Sequence, residues 1–335
     1  MYEWNTDLYK MFFEIGIKRL LNNSGLLNYI TPKFYLVNLD DEKMREYLMD
    51  NMHIDLLSFC NPFEVVTENV ITMLRKNKSK QTFVRVYRQD EESKVFNEAL
   101  PLDMEYSKTN LHKEWVTGID GNVLAILIKM GHPIKLRDIS SSKRGAEISK
   151  KDMRATQSGL PSLIGQDMKK YSINWSNTYL DMNHKEYYRL SPFFSKEMIY
   201  LRRVDICLEA TIGDAVYGFN KNVYGIKIDE TKGYNRKFIL ALLNSKALNY
   251  YYRKKFSTKK EDVFPEIQTY LYEQLPIPGV SEEQQQPIID LVDKIISTKR
   301  INPQTDTTAW ERQIDKLVYD LYGLDDTERK LIEGK

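Results

Sequence analysis

Apolar residues near the start of the chain recur at helical spacing, and the segments that follow alternate between helix and strand. The spacing predicts a helix over residues 6–21. A short apolar run at 26–30 is typical of a strand that is covered on both faces. A second helix is predicted at 40–50, followed by strands at 54–59 and 70–74. This order predicts the second half of an α/β sheet domain that ends in an antiparallel hairpin.

The pattern changes after the polar stretch KNKSKQ, which predicts the edge of this first unit. Short apolar runs between residues 136 and 224 are interrupted by Gly, Ser, Asn and Pro, which indicates an irregular β-rich domain. Three later segments have helical periodicity, at 235–255, 282–300 and 309–322. We therefore expect four parts, namely an α/β unit (1–80), a connecting segment (81–135), a mixed α+β domain (136–275) and a helical segment (276–335).

Composition narrows the possible functions. The 335 residues are 42% hydrophobic and 29% charged, but the net charge is only +2, so any nucleic-acid surface must be local. Cys60 and Cys207 are far apart and predict buried, reduced thiols. The longest apolar run, 123–128, is too short for a membrane span, and no signal peptide is apparent, so a cytoplasmic protein is expected. The four histidines lack ligand spacing, and no metal site is predicted.

An ordered series of motifs carries a family resemblance. DLYKMFFEIGIKRLL, GLLNYITP and FCNPFEVVTENVITMLRK occur in this order at the start of the chain. ISSSKRGAEISK, LPSLIGQDMKKYSI, KEMIYLRR, FILALLNSKALNYYYRKK and LPIPGVSEEQQQPIIDLVDKII follow. The series resembles the post-catalytic half and target-recognition region of Taq-type N6-adenine DNA methyltransferases, especially those in type IIG restriction-modification enzymes. The last motif is also similar to type I specificity subunits.

The resemblance implies a fold, a cofactor and partners. The fold would be the second half of a Rossmann-like α/β methyltransferase sheet, followed by a mixed α+β target-recognition domain with C-terminal helices. The complete enzyme would use S-adenosylmethionine. The partners would be double-stranded DNA and the missing N-terminal methyltransferase or nuclease portion. This sequence contains neither the family's Asn/Asp-Pro-Pro-Tyr/Phe tetrapeptide nor its glycine-rich cofactor loop. We therefore expect no cofactor binding and no catalytic residue in this chain.

One aromatic residue matches a family position with a role in base flipping. Phe63 lies in the polar loop before the last predicted strand, where family members hold the extruded base against an aromatic ring. The alternative is that Phe63 packs beneath its own loop. Phe59 is the fallback candidate and is better explained as a core residue.

Basic residues interleave with aromatic residues in two regions, as expected for phosphate and base-edge contacts. The predicted DNA-binding residues are Lys143, Arg144, Lys150, Lys151, Arg154, Lys169, Lys170, Arg189, Arg253, Lys254, Lys255, Lys259 and Lys260. For any one of them, a solvated surface position is the simpler interpretation. Arg202 and Arg203 suit a structural ion pair with Asp205 or Glu209 as well as they suit DNA. The tyrosines of NYYYRKK are expected in the core.

Two functions remain open. The first is DNA sequence recognition within a site-specific adenine methyltransferase or type II restriction-modification enzyme. The second is a non-enzymatic DNA specificity subunit similar to those of type I systems. An inactive remnant is a third interpretation. A reading frame just upstream that encodes the missing loop and tetrapeptide would favour the first.

Overall fold

A computed structural model describes residues 7–62, 69–76, 80–109, 113–117, 120–153, 159–205, 207–256 and 266–334, except for the side chain of Leu39. The chain divides into two compact units, Met1–Leu124 and Ala125–Lys335.

The first unit combines a five-stranded sheet with short helices. Its helices and strands, in chain order, are α1 (Leu8–Ile15), β1 (Leu26–Pro32), α2 (Glu42–Asn51), β2 (His53–Cys60), β3 (Asn69–Arg75), β4 (Phe83–Gln89), β5 (Phe96–Asp103) and α3 (Met104–Thr109). A π-helical turn, Gly16–Leu20, continues α1. The predicted helices and the antiparallel β2–β3 hairpin are confirmed.

The sheet has the strand order β1-β3-β2-β4-β5, in which only β2 and β4 run parallel. Its core lies against α1 and α2, where Phe13, Leu48 and Leu57 are fully buried. The prediction that the first strand is covered on both faces is wrong. β1 is an edge strand whose Leu26 and Ile30 are 51% and 40% exposed, because the helices cover only the opposite side chains.

The sheet also continues beyond residue 80. β4 pairs with β2 and β5 pairs with β4, so the chain after residue 81 returns to the same sheet, and the unit does not end at the predicted edge. β5 was not predicted from the sequence because its residues are mostly exposed and lack alternating polarity. A polar run marks a turn, but it does not show whether the next strand returns to the same sheet.

The second unit begins within helix α4 and contains small sheets followed by helices. Its elements are α4 (Gly121–Met130), β6 (Ser140–Arg144), β7 (Gly159–Leu163), β8 (Met168–Lys169), β9 (Ser172–Ile173), β10 (Thr178–Asp181), α5 (Lys185–Leu190), β11 (Ile199–Arg202), β12 (Ala210–Ile212), β13 (Gly218–Phe219), β14 (Val223–Ile228), α6 (Arg236–Asn244), α7 (Lys246–Phe256), α8 (Thr269–Tyr272), α9 (Glu282–Ile301), α10 (Thr308–Leu321) and α11 (Asp326–Glu333). The predicted irregular β-rich region is confirmed.

The described strands of the β-rich part form a two-stranded β8-β9 sheet and two larger sheets. One has the antiparallel order β12-β11-β14-β6, and the other has the order β10-β7-β13. Phe219 of β13 packs with Tyr200, Met198 and Val223, which join the two sheets in one apolar cluster. Gly225 keeps this cluster close, because a Cβ there would lie 2.6 Å from the Phe219 ring. Gly225, which interrupts the apolar pattern of the sequence, therefore permits close packing between the two sheets.

The segment predicted as one helix over 235–255 is two helices, α6 and α7. Ser245 separates them with an extended backbone (ψ 151°), and its hydroxyl accepts a hydrogen bond from the Leu248 N–H at 3.2 Å. Serine is a favoured helix N-cap because its oxygen satisfies a backbone donor in the first turn. α9 and α10 begin and end within one residue of the predicted bounds, whereas the amphipathic α11 was not predicted.

Several general features hold for the part of the chain that the structure describes. None of its helices is long and apolar enough to cross a membrane. The same residues contain no group of three or more His, Cys, Asp or Glu side chains suited to hold a metal ion. Cys60 is buried as expected, while Cys207 is partly exposed.

Candidate nucleic-acid interface

Ten of the predicted DNA-binding residues lie within the described part of the second unit. Phe63, Arg154, Lys259 and Lys260 lie outside the described residues. The ten fall in three places, namely strand β6 with helix α5, the segment from 150 to 170, and the last turn of α7.

Arg144 and Arg189 are brought together around Gly145, at a cluster that we call the Gly145 junction (Arg144, Gly145, Glu147, Glu186 and Arg189). The Arg189 Nη2 atom donates to the Gly145 carbonyl at 3.2 Å and to the Glu186 carboxylate at 2.7 Å. The same carboxylate accepts the Glu147 N–H at 3.0 Å. Arg144 forms an ion pair with Glu147 at 3.0 Å. Residues that are some 40 positions apart in sequence thus form one charged network.

The local backbone explains why this junction forms. The Ala146 N–H donates to the Phe219 carbonyl at 2.8 Å, so the chain leaving β6 passes directly against β13. A Cβ on Gly145 would lie 2.2 Å from the Asn220 carbonyl oxygen, which only glycine avoids. Helix α5 is held in place by Leu190, which is fully buried, and its first turn is capped by the His184 Nδ1 atom.

Glu186 is charged at neutral pH. Its hydrogen bonds with the Arg189 guanidinium, and then with the Glu147 N–H, hold the pKa of this carboxyl below its ordinary value against the opposing effect of burial. The side chains of Arg144 and Arg189 remain 40% and 46% exposed while they are held. The junction therefore presents two oriented guanidinium groups to solvent, and guanidinium groups bind phosphate and guanine edges bidentately.

The substitution Glu186→Gln is expected to lower the stability of the second unit by less than about 1 kcal/mol at pH 7, since partly exposed ion pairs contribute little. A depressed carboxyl pKa contributes stability above the ordinary pKa, near 4.3, and this stability is lost as the pH falls through the folded-state pKa. Urea unfolding at pH 7 and pH 3 would measure it, with the exposed Glu98→Gln as control. A stability difference between Glu186→Gln and wild type that did not become smaller between pH 7 and pH 3 would contradict this role.

The lysines between 150 and 170 are placed differently. The Lys150 Nζ atom donates to the Gln166 Oε1 atom at 2.8 Å, and Lys151 and Lys169 are exposed. The Lys170 Nζ atom donates to the Asn244 carbonyl at 2.9 Å, at the C-terminus of α6. A cation is stabilising there because the helix dipole places negative charge at that end. Lys170 thus has an intramolecular role, away from the Gly145 junction.

The basic residues of α7 occupy its last turn. Arg253 and Lys254 are exposed, and the Lys255 Nζ atom lies 3.1 Å from the Tyr251 hydroxyl oxygen. Tyr251 and Tyr252 are 1% and 6% exposed, which confirms that they are core residues. The cations can reach solvent from a helix end that the buried tyrosines hold in place.

Arg202 and Arg203 form ion pairs within the protein. The Arg202 Nη1 atom lies 3.2 Å from Asp205 and 2.9 Å from Glu209. The structural interpretation of Arg202 is therefore confirmed.

Asn244 and Asn249 were not predicted as important from the sequence. Their buried side-chain amides hold the β12 edge of the four-stranded sheet against helices α6 and α7. The Asn244 side chain accepts the Ala210 N–H and donates to the Ala210 carbonyl, each at 2.9 Å. The Asn249 Oδ1 atom accepts the Leu208 N–H at 2.6 Å. These amides extend the backbone pairing of β12. Their only sequence signal is a polar residue on a helix face that is otherwise apolar.

Two models of known protein families match parts of the chain. The model of the TaqI-like C-terminal specificity domain matches residues 160–277, and that of the Eco57I restriction-modification methylase matches residues 1–65. Both matched ranges are therefore similar to restriction-modification proteins. The resemblance found in the sequence is therefore confirmed, and the specificity-domain match lies within the unit that carries the Gly145 junction.

Individual proteins show the same similarity to restriction-modification enzymes. The chain is 26% identical, over 92% of its length, to a putative type II restriction enzyme and methyltransferase of Methanocaldococcus jannaschii. It also resembles the type IIL restriction-modification enzyme MmeI, solved in complex with DNA, with a TM-score of 0.56 and 10% identity over 96% of this chain. That likeness shows the fold alone. The chain spans 28% of the first protein and 50% of the second.

Proposed function

We propose that this chain recognises DNA sequence as part of a site-specific adenine-N6 DNA methyltransferase or type II restriction-modification enzyme. The proposal rests on the match of residues 160–277 to the specificity-domain model. This range lies in the second unit, which also carries Arg144 on β6 and Arg189 on α5. We assign the sequence reading to residues 136–275. The helical segment 276–335 would support this domain.

The electrostatics of the junction support a nucleic-acid partner. Arg144 and Arg189 are each held by one carboxylate and still reach solvent, so each can add a phosphate or base contact without losing its position. Lys143 precedes Arg144 on β6, where successive side chains point to opposite faces, and it adds a separate exposed cation to this region. Because the net charge of the whole chain is only +2, DNA would be attracted by local charge rather than by the overall field.

The first unit supports a further proposal, namely that it is the second half of a Rossmann-like methyltransferase sheet. β3 runs antiparallel between β1 and β2, and β1 has a partner on one side only among the described strands. Two apolar side chains on the outward face of α1, Leu8 and Phe12, are 72% and 57% exposed. The remaining part of a methyltransferase domain, on a longer chain or a separate subunit, would cover the outer edge of β1 and the outward face of α1.

The complete enzyme would take S-adenosylmethionine as methyl donor, but the described residues of the first unit do not fit this cofactor. A cofactor loop requires glycines at a turn from strand to helix. Gly16 lies in the π-helical turn after α1, Gly25 precedes a strand, and Gly121 opens α4 after a segment whose described residues form no strand. We therefore derive no step through the cofactor. Phe63, in the connection between β2 and β3, remains our proposed stacking residue for the extruded adenine.

A salt series tests the DNA proposal. The full chain is expected to bind duplex DNA with an affinity that falls about 10³-fold or more between 50 and 200 mM salt, because phosphate contacts release counterions. Lys143→Ala is expected to reduce the slope of log affinity against log salt by about 1. Lys316→Ala, an exposed lysine of α10, serves as the control and should leave the slope unchanged. An affinity that does not respond to salt would contradict the proposal.

A further inference from the structure

The outward face of helix α5 carries an aromatic residue between two cations. Lys185 lies three residues before Tyr188 and four before Arg189, so each of these two residues neighbours Lys185 on the helix surface. Tyr188 is 63% exposed, whereas Leu190, on the opposite face, is fully buried. Tyr188 therefore lies outside both the core and the charged network.

The Tyr188 ring is held by a helix that is fixed through several contacts. Tyr188 packs edge-on against Tyr187 at 5.8 Å between ring centroids, and Tyr187 in turn packs against Phe194. Glu186 ties the helix to the Glu147 N–H, and Arg189 ties it to the Gly145 carbonyl. A ring that projects from such a fixed helix loses little conformational freedom on binding.

Within the proposed function, on which this inference rests, we propose that Tyr188 is a specificity-determining residue that contacts base edges in a DNA groove. Lys185 and Arg189 contact the flanking phosphates and so set the position of the ring. An uncharged ring cannot contribute to the counterion-release part of affinity, but it can contact thymine methyl groups and offer a hydroxyl to a base edge. The charges on either side match a polyanion, which favours DNA over an apolar protein partner.

The test separates sequence reading from phosphate binding. The wild-type full chain would first select its preferred duplexes from a randomised DNA library, and affinity would then be compared between a selected duplex and a shuffled one. Tyr188→Ala is expected to reduce the ratio of these affinities about tenfold or more, within the range of a good base contact. The salt slope should not change. Tyr188→Phe should retain most of the ratio because the ring remains.

Two variants act as controls. Lys185→Ala is expected to weaken binding to both duplexes equally and to lower the salt slope by about 1. Tyr270→Ala removes another exposed tyrosine of the same unit, 38% exposed, and should leave the ratio unchanged. The thermal unfolding of Tyr188→Ala should match wild type, since the side chain is mostly exposed.

The outcomes distinguish the two proposals. If wild type binds with salt dependence and Tyr188→Ala keeps the full ratio, the inference about Tyr188 is wrong while the proposed function stands. If the Phe variant is as defective as the Ala variant, the ring contact is wrong. If wild type shows no salt-dependent binding, the proposed function and this inference fall together.

Discussion

The substitution Gly145→Ala is expected to destabilise the second unit by about 3 kcal/mol, at the upper end of the usual range for overpacking. The added Cβ would lie 2.2 Å from the Asn220 carbonyl oxygen and 2.5 Å from that of Phe219. Both are backbone atoms, and both segments are fixed, since the Asn220 N–H donates to the Leu163 carbonyl at 3.0 Å. The clash can be relieved only by separating β6 from β13.

Urea unfolding would measure this loss of stability as a lower midpoint. Gly279→Ala is the matched control, because a Cβ at Gly279 has no atom within 4 Å and the backbone there is not left-handed. A Gly145→Ala midpoint equal to that of wild type would show that β6 and β13 are not tightly coupled. DNA binding should fall as well, because the Gly145 carbonyl accepts a hydrogen bond from Arg189.

The substitution Asn249→Asp is expected to destabilise the protein by about 3 kcal/mol or more at pH 7. The Asn249 Nδ2 atom donates to the carbonyls of Leu243 and Ser245 at 3.1 and 2.9 Å, and the side chain is 8% exposed. A carboxylate would place a negative oxygen against these two acceptors. A buried charge without a partner costs about this much.

The pH dependence of this variant gives a second measurement. Burial beside two carbonyls should raise the pKa of the new carboxyl above that in the unfolded chain, so its penalty is greatest at neutral pH and shrinks as the pH falls through the folded-state pKa. Urea unfolding at pH 7 and pH 5 would compare the two states, with the exposed Asn177→Asp as control. Equal midpoints for Asn249→Asp and wild type at pH 7 would contradict the buried amide network.

The elements with strong periodicity were predictable from sequence. α9 follows its apolar period closely, and the β2–β3 hairpin follows from two apolar runs separated by a polar loop. The exposure of β1 was not predictable, because an apolar run reads the same whether a strand is covered on one face or two. The break between α6 and α7 at Ser245 was not predictable from sequence because serine is tolerated within a helix. It is shown by the hydrogen bond from the Leu248 N–H to the Ser245 hydroxyl.

The candidate site was only partly predictable. Clustered cations at 143–189 indicated DNA, but sequence spacing does not show which cations bond within the protein. Lys170, which donates to the end of α6, and Arg144, which pairs with Glu147, look alike in the sequence. The Gly145 junction depends on contacts between residues 144–147 and 186–189, and the pairing of distant segments depends on tertiary packing that no local pattern records.

The edge strand β1 has a consequence for handling the protein. Among the described strands it pairs only with β3, so its outer side presents free backbone donors and acceptors beside exposed Leu26 and Ile30. Such an edge is a template for aggregation. Pro32 removes one donor at its far end, and no charged residue interrupts it. Self-association that rises with protein concentration would therefore originate in the first unit, while the second unit remains folded.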